Sequence, residues 1–204
     1  MAPLLSSAVA RALAASVQTL QTHGAQVVTG GQLLPAPGCR YANTTLRVTG
    51  DGFLAAPEKL QTEAFGNASL LVVVRDIAQI ATILGHLEGN LTGALYTDTQ
   101  GSDDQHYAVL EPLLRSRVGR LLNDKMPTGV AVSPAMNHGG PYPSTSHPGF
   151  TAVGIPAALR RFAALQCYDN VRAARLPAGL QDKNPNGKMW RLIDGQWSQG
   201  NVGG

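Results

Sequence analysis

Apolar residues near the start of the chain recur every three or four positions, at Val9, Leu13, Val17 and Leu20. That spacing predicts an amphipathic helix, with Ser6 and Ser7 able to cap its start and Gly24 to stop it. Residues 25–28 read as a short strand closed by Thr29-Gly30-Gly31, and residues 32–38 as a Pro/Gly loop. Residues 41–48 carry strand propensity in Thr44, Thr45, Leu46 and Val48, and Asp51-Gly52 supplies a turn after them. Residues 70–74 are unbroken apolar, the pattern of a strand buried on both faces. Asp76 can cap a helix whose apolar face is Ile77, Ile80, Ile83, Leu84 and Leu87, with Gly89 at its end. A strand over 91–97 follows. Ser102, Asp103 and Asp104 then open a helix through Tyr107, Leu110, Leu113 and Leu114, and a last short strand covers 118–122. Pro112 removes a backbone donor and should kink or split that helix.

From residue 70 onward the order is strand, helix, strand, helix, strand with brief connections. That alternation predicts an α/β fold with a mostly parallel sheet and crossover helices. Residues 126–154 turn rich in Gly, Pro, Ser, Thr and His, and so long a loop in a compact domain usually serves function. Pro156 suits the first position of a final helix over 156–165. After Asn170 the chain is polar and Gly-rich, which predicts poor order. The expected division is an α/β segment over 1–125, a loop-rich segment with the last helix over 126–170, and a tail over 171–204.

The bulk numbers narrow the classes. A chain of 204 residues buries about 70% of its unfolded surface and needs neither disulfide nor metal to fold. With 16 basic against 13 acidic residues and 5% aromatics, no basic run interleaves with rings, so a nucleic-acid partner is not expected. Arg115, Arg117 and Arg120 read as charges complementing a helix C-terminus. Cys39 and Cys167 are far apart with no paired spacing, which fits a reducing compartment. No apolar run approaches the ~20 residues of a membrane span. The Ala-rich start lacks a basic leader and is interrupted by Arg11, so the cytoplasm is the expected location. His23, His86, His106 and His147 have no metal-ligand spacing.

Three places carry candidate chemistry. In the stretch 60–69, Glu63 and Phe65 sit two apart on a turn ending in Gly66, which feeds the apolar strand. This puts a carboxylate and a flat ring together at the end of a strand, where ligands collect in open α/β sheets. A carboxylate is an acceptor-only group and can take both hydroxyls of a ribose. The residues alone also allow a solvated Glu beside a core Phe. Cys39 neighbours Arg40, which can lower a thiol pKa, but its flanks suggest a structural or exposed thiol. Cys167 reads as a packing residue. His138 precedes Gly139-Gly140, whose missing side chains let backbone pass close to a ligand. A loop histidine in a turn is the other reading. Neither glycine pair makes a phosphate-binding pattern.

Several blocks share one likeness. They are Glu-x-Phe-Gly at 63–66, Met-Pro-Thr-Gly-Val-Ala-Val at 126–132, Asn-His-Gly-Gly-Pro-Tyr-Pro at 137–143, Val-Gly-Ile-Pro at 153–156 and Trp-Arg-Leu-Ile-Asp-Gly at 190–195. In this order they resemble the C-terminal end of the 2-ketoglutaric semialdehyde (2,5-dioxopentanoate) dehydrogenases, a branch of the aldehyde dehydrogenase superfamily. The resemblance implies NAD or NADP as cofactor, with Glu63 on a ribose and Phe65 beside the nicotinamide. It implies Val132 and His138 lining an aldehyde tunnel, a small aldehyde substrate, and a homo-oligomer. Two places depart from the pattern: Asn67 stands where many relatives have Pro, and 119–125 is more polar than usual, where relatives end in an Asn-Gly-like pair. The family's nucleophilic Cys and general-base Glu have no counterpart here, so the chain is expected to be a fragment that is inactive alone. The alternatives are a non-catalytic oligomerisation or binding module derived from that fold, and an unrelated α/β ligand-binding domain.

Overall fold

A computed structural model describes residues 3–35, 37–127, 133, 136–147, 159 and 162–203. The chain divides into two units, Met1–Arg161 and Phe162–Gly204. The first unit opens with α1, Ser7–Thr22. Its start is fixed by Ser6, whose Oγ accepts from the Val9 amide at 3.3 Å. Ala10, Leu13, Val17 and Leu20 form its buried face, and Gly24 takes φ 100° to end it. The helical pattern was fully legible.

Strand β1 (Gln26–Thr29) lies antiparallel to β2 (Thr44–Thr49), and β2 lies parallel to β3 (Ala68–Val73), in the order β1-β2-β3. Two features differ from expectation. The Asp51-Gly52 turn is instead a short helix, α2 (Gly50–Ala55), capped by Thr49 Oγ1 accepting from the Gly52 amide at 3.1 Å. Asp51 sits in its first turn, where an acidic side chain suits the helix dipole, and pairs with Arg75. And β3 is not buried on both faces. Leu70 and Val72 pack towards the core, whereas Leu71 and Val73 remain 51% and 43% exposed. The strand is at the edge of its sheet, and among the described residues only one of its faces is covered.

After α3 (Pro57–Leu60) and β3 comes α4 (Ile77–His86), capped by Asp76, whose Oδ1 accepts from the Gln79 amide at 2.8 Å. Consecutive residues of α4 serve different cores. Ile83 joins Leu13, Val17, Leu46 and Phe53, while Leu84 joins Leu110, Leu114 and Val118. The parallel strands form two sheets among the described residues: β4 (Asn90–Leu95) pairs in parallel with β5 (Val118–Asn123). The α/β class holds, and within the first unit's named strands β2–β3 and β4–β5 are parallel while β1 pairs antiparallel with β2. The connecting helix α5 (Asp104–Arg115) runs unbroken through Pro112, with Leu110 and Leu114 buried. Pro112 lies in its last turn, and the helix continues past it to Arg115.

In the second unit, residues 162–165 are not helical, so the expected helix over 156–165 does not reach its predicted end; most of its remainder lies outside the described residues. The tail is ordered, against expectation. Strands β6 (Arg191–Ile193) and β7 (Gln196–Ser198) form a hairpin turned by Asp194 and Gly195, with φ of 49° and 81°. Paired positive φ values mark the tight turn that matches strand twist, and Asp-Gly is its common sequence. The buried Arg191 guanidinium donates to the carbonyls of Gln181, Asp182 and Gly200 at 2.6, 3.2 and 2.6 Å. Asn184 Nδ2 donates to Met189 and Gln199 carbonyls at 2.9 and 2.8 Å. Polar side chains, not apolar ones, hold this unit. Among the described residues no helix is long and apolar enough to cross a membrane.

Candidate functional site

A cavity of about 820 Å³ opens in the first unit. Its walls come from three parts of the chain: Gln61, Thr62, Glu63 and Phe65 before β3; Leu87, Glu88 and the start of β4; and Pro143 with Ser144. Glu63 and Phe65 are therefore on one wall, as their spacing suggested. Phe65 is 70% exposed, which rules out the core-Phe reading. Among the described residues the Glu63 carboxylate has no ion pair, and the residue lines the opening. The turn lies at the amino end of β3, however, not the carboxyl end where the open-sheet rule places ligands. The rule does not explain this cavity.

The loop is shaped by neighbours rather than by its own propensity. Gly66 takes φ 157°, and a Cβ there would stand 2.6 Å from Cδ2 of the fully buried Leu13. Asn67 donates from Nδ2 to the Tyr41 carbonyl and to Asn43 Oδ1, both at 2.8 Å. Its own carbonyl accepts from the Thr44 amide at 2.9 Å. The Asn67 side chain and carbonyl thus anchor the loop to residues 41–44. Ser16 Oγ donates to the Glu63 carbonyl at 3.4 Å.

The opposite wall depends on glycines meeting backbone. A Cβ on Gly119 would collide with the Gly139 carbonyl, one on Gly140 with the Asn90 carbonyl, and one on Gly89 with the Pro141 carbonyl. Gly139 and Gly140 are buried against β4 and β5. Their missing side chains permit close approach of one backbone to another, rather than to a ligand as the sequence suggested. This contact delivers Pro143 and Ser144 to the cavity. His138, just before the pair, is exposed and does not line the cavity. Val132 lies outside the described residues.

A second cavity, of about 670 Å³, shares Glu58, Gln61, Glu88 and Pro143 with the first and adds His86, Arg117 and Tyr142. Arg117 does not complement the end of α5; its Nη2 donates to the Gly85 carbonyl on α4 at 2.6 Å. Arg120 lies within β5 rather than near a helix end. Cys39 is half-buried and lines neither cavity, and its carbonyl accepts from the Leu4 amide at 2.7 Å. Cys167 is exposed in the other unit, not packed as expected.

At the carboxyl ends of β4 and β5, Asp124 occupies a left-handed φ of 50°, a conformation an Asn-Gly pair would take more easily. Its carboxylate accepts from the Thr97 amide at 2.6 Å and from Asn123 Nδ2 at 2.6 Å, and these bonds hold its pKa below the usual range. Asp98 is lowered likewise, by hydrogen bonds from Ser102 and then from the Gln100 amide. Among the described residues no His, Cys, Asp or Glu group could hold a metal ion.

The first unit's arrangement has the fold of part of an aldehyde dehydrogenase. Lactaldehyde dehydrogenase from Escherichia coli matches 69% of this chain with 27% of its own, at a TM-score of 0.52 and 22% identity. Sequence narrows the class further. The chain is 43% identical over 159 residues to alpha-ketoglutaric semialdehyde dehydrogenase 2 of Azospirillum brasilense, covering 78% of this chain and 29% of the relative. It is 40% identical over 146 residues to the alpha-ketoglutaric semialdehyde dehydrogenase of Acinetobacter baylyi, covering 72% of this chain and 27% of that one. No family model matches the sequence. The chain is thus similar to one segment of the ketoglutaric semialdehyde type of aldehyde dehydrogenase, and spans less than a third of the curated relatives it matches.

Proposed function

We propose that this chain is the cofactor-side segment of an NAD- or NADP-dependent aldehyde dehydrogenase that oxidises 2-ketoglutaric semialdehyde to the carboxylate. The observation that carries the reading is the Glu63 carboxylate, without an ion pair among the described residues, beside the exposed Phe65 ring on one cavity wall. Two free acceptor oxygens suit the two hydroxyls of a ribose, and an exposed ring suits the face of a nicotinamide. The cavity is also within the usual size of a small-molecule site. The bound nicotinamide supplies the hydride acceptor. Glu63 fixes the ribose and Phe65 shields the ring from water.

Carbonyl chemistry in such an enzyme needs an activated nucleophile. Cys39 lies away from the cavity, and no cysteine falls between residues 40 and 166. The 204 residues by themselves therefore bind without turning over. Calorimetric titration with NAD+ and NADP+ tests the binding, and Glu63→Gln weakens it roughly 10- to 100-fold, the loss of charge-assisted bonds. Aldehyde-dependent reduction by the pure chain that survives Cys39→Ala would overturn the inactivity.

The exposed Leu71 and Val73 on the edge strand favour a second reading, a non-catalytic association module. It predicts a defined dimer by light scattering and no response to either dinucleotide.

A further inference from the structure

We propose that Gln61 is a positioning residue that sets the width of this cavity, resting on the reading of Glu63 and Phe65 as the cofactor side. Its side-chain amide makes three hydrogen bonds at once. Nε2 donates to the Pro57 carbonyl and to the His86 carbonyl, each at 3.0 Å, and Oε1 accepts from the Glu88 amide at 2.8 Å. All three partners are backbone groups, so the amide has only one orientation: carbonyls can only accept and the Glu88 N–H can only donate.

The three partners lie on different elements. Pro57 opens α3, His86 is the last residue of α4, and Glu88 is in the turn before β4. The His86 carbonyl is one that a helix end leaves without an internal partner. Gln61 thereby joins the loop that carries Glu63 to the wall formed by Leu87 and Glu88. Among the described residues no other side-chain hydrogen bond links these two walls. The side chain also lines both cavities and forms part of the partition between them.

The chemistry of the rim explains why an amide is needed. Glu58 and Glu63 stand on one side and Glu88 on the other, and among the described residues no Lys or Arg lines the first cavity. Both walls thus carry charge of one sign. A group that donates twice and accepts once, without adding charge, holds them together. A glutamate at 61 would lose both donations and add a fourth negative charge; a methionine keeps the volume and loses all three bonds.

The test uses the 204-residue chain and Gln61→Met. Amide hydrogen exchange comes first. Exchange at the Glu88 N–H rises about tenfold or more, with the Leu13 and Leu46 amides unchanged as internal controls. An unchanged Glu88 amide overturns the proposal. NAD+ affinity is then measured for Gln61→Met, Glu63→Gln and the double variant. Gln61→Met weakens binding about tenfold alone and has no effect in the Glu63→Gln background, because it acts through Glu63. Additive losses overturn the positioning role. If the unaltered chain binds neither NAD+ nor NADP+, the functional reading falls, and the exchange result alone decides the claim about Gln61.

Discussion

Replacing Gly119 by alanine tests whether the loop over 137–145 is held to the β4–β5 sheet by backbone approach. An added Cβ would collide with the Gly139 carbonyl oxygen and sit 2.6 Å from the Gly139 carbonyl carbon and 2.8 Å from Gly140 Cα. These are backbone atoms, so no rotamer change relieves the overlap, and the loop must lift. Overpacking of this kind costs about 1–3 kcal/mol. Lifting also strains the bond from the Gly89 amide to the Tyr142 carbonyl, 3.2 Å long, worth about 1 kcal/mol. The expected loss is about 3 kcal/mol, or roughly 6–12 °C in Tm for a chain of this length. Urea unfolding with an unchanged slope measures it. Gly85→Ala is the control. Gly85 lies in α4 with nothing within 4 Å of a would-be Cβ, so alanine there stabilises by about 0.5–1 kcal/mol. A Gly119→Ala midpoint within about 0.5 kcal/mol of the parent would refute the close-approach argument.

Acid stability should follow Asp98 and Asp124. Their folded pKa values lie below the unfolded value of about 3.9, so their contribution is whole above it and lost as pH falls through the folded values. Converting both to Asn should flatten the fall in stability between about pH 5 and pH 2; an unchanged slope there removes these groups from the account. In the second unit, Arg191→Met strips three carbonyls of their donor and should cost about 3 kcal/mol. Hydrogen exchange should then rise across 181–201, and protection as strong as the parent's would show that the hairpin holds without the guanidinium.

The parts of the fold legible in the sequence are those in which one element settles its own form. Val9, Leu13, Val17 and Leu20 repeat at helical spacing beside a Ser cap, and α1 follows from that alone. The apolar run before Arg75 is different: it correctly announces a strand, but burial depends on what covers each face, and here Leu71 and Val73 stay open. The division of α4 between two cores was hidden for a related reason. Ile83 and Leu84 are adjacent in one apolar stripe, and only the three-dimensional arrangement sends them to separate cores. In the tail, composition pointed to disorder because the unit is held by Arg191 and Asn184, residues that scarcely register as core formers. The Asp-Gly hairpin signal at 194–195 was available and outweighed by that composition.

The site divides along the same line. Glu63 and Phe65 were readable because a carboxylate and a ring two residues apart remain together in any turn. What makes them a site is the facing wall, built from Leu87 to Thr92 and from Pro143 and Ser144, and no local pattern announces it. Gln61 shows the difference most sharply. In sequence it is one polar residue before a turn, with nothing to separate it from a solvated neighbour. In the fold its amide meets two carbonyls and one N–H at the only spacing that satisfies all three. The carboxylates at 58, 63 and 88 put like charge on one rim, and the neutral Gln61 amide ties its walls without adding to that charge. Selection for the acidic rim would therefore act on position 61 as well, and exchange of Gln61 should be tolerated only where Glu88 or Glu58 has lost its charge.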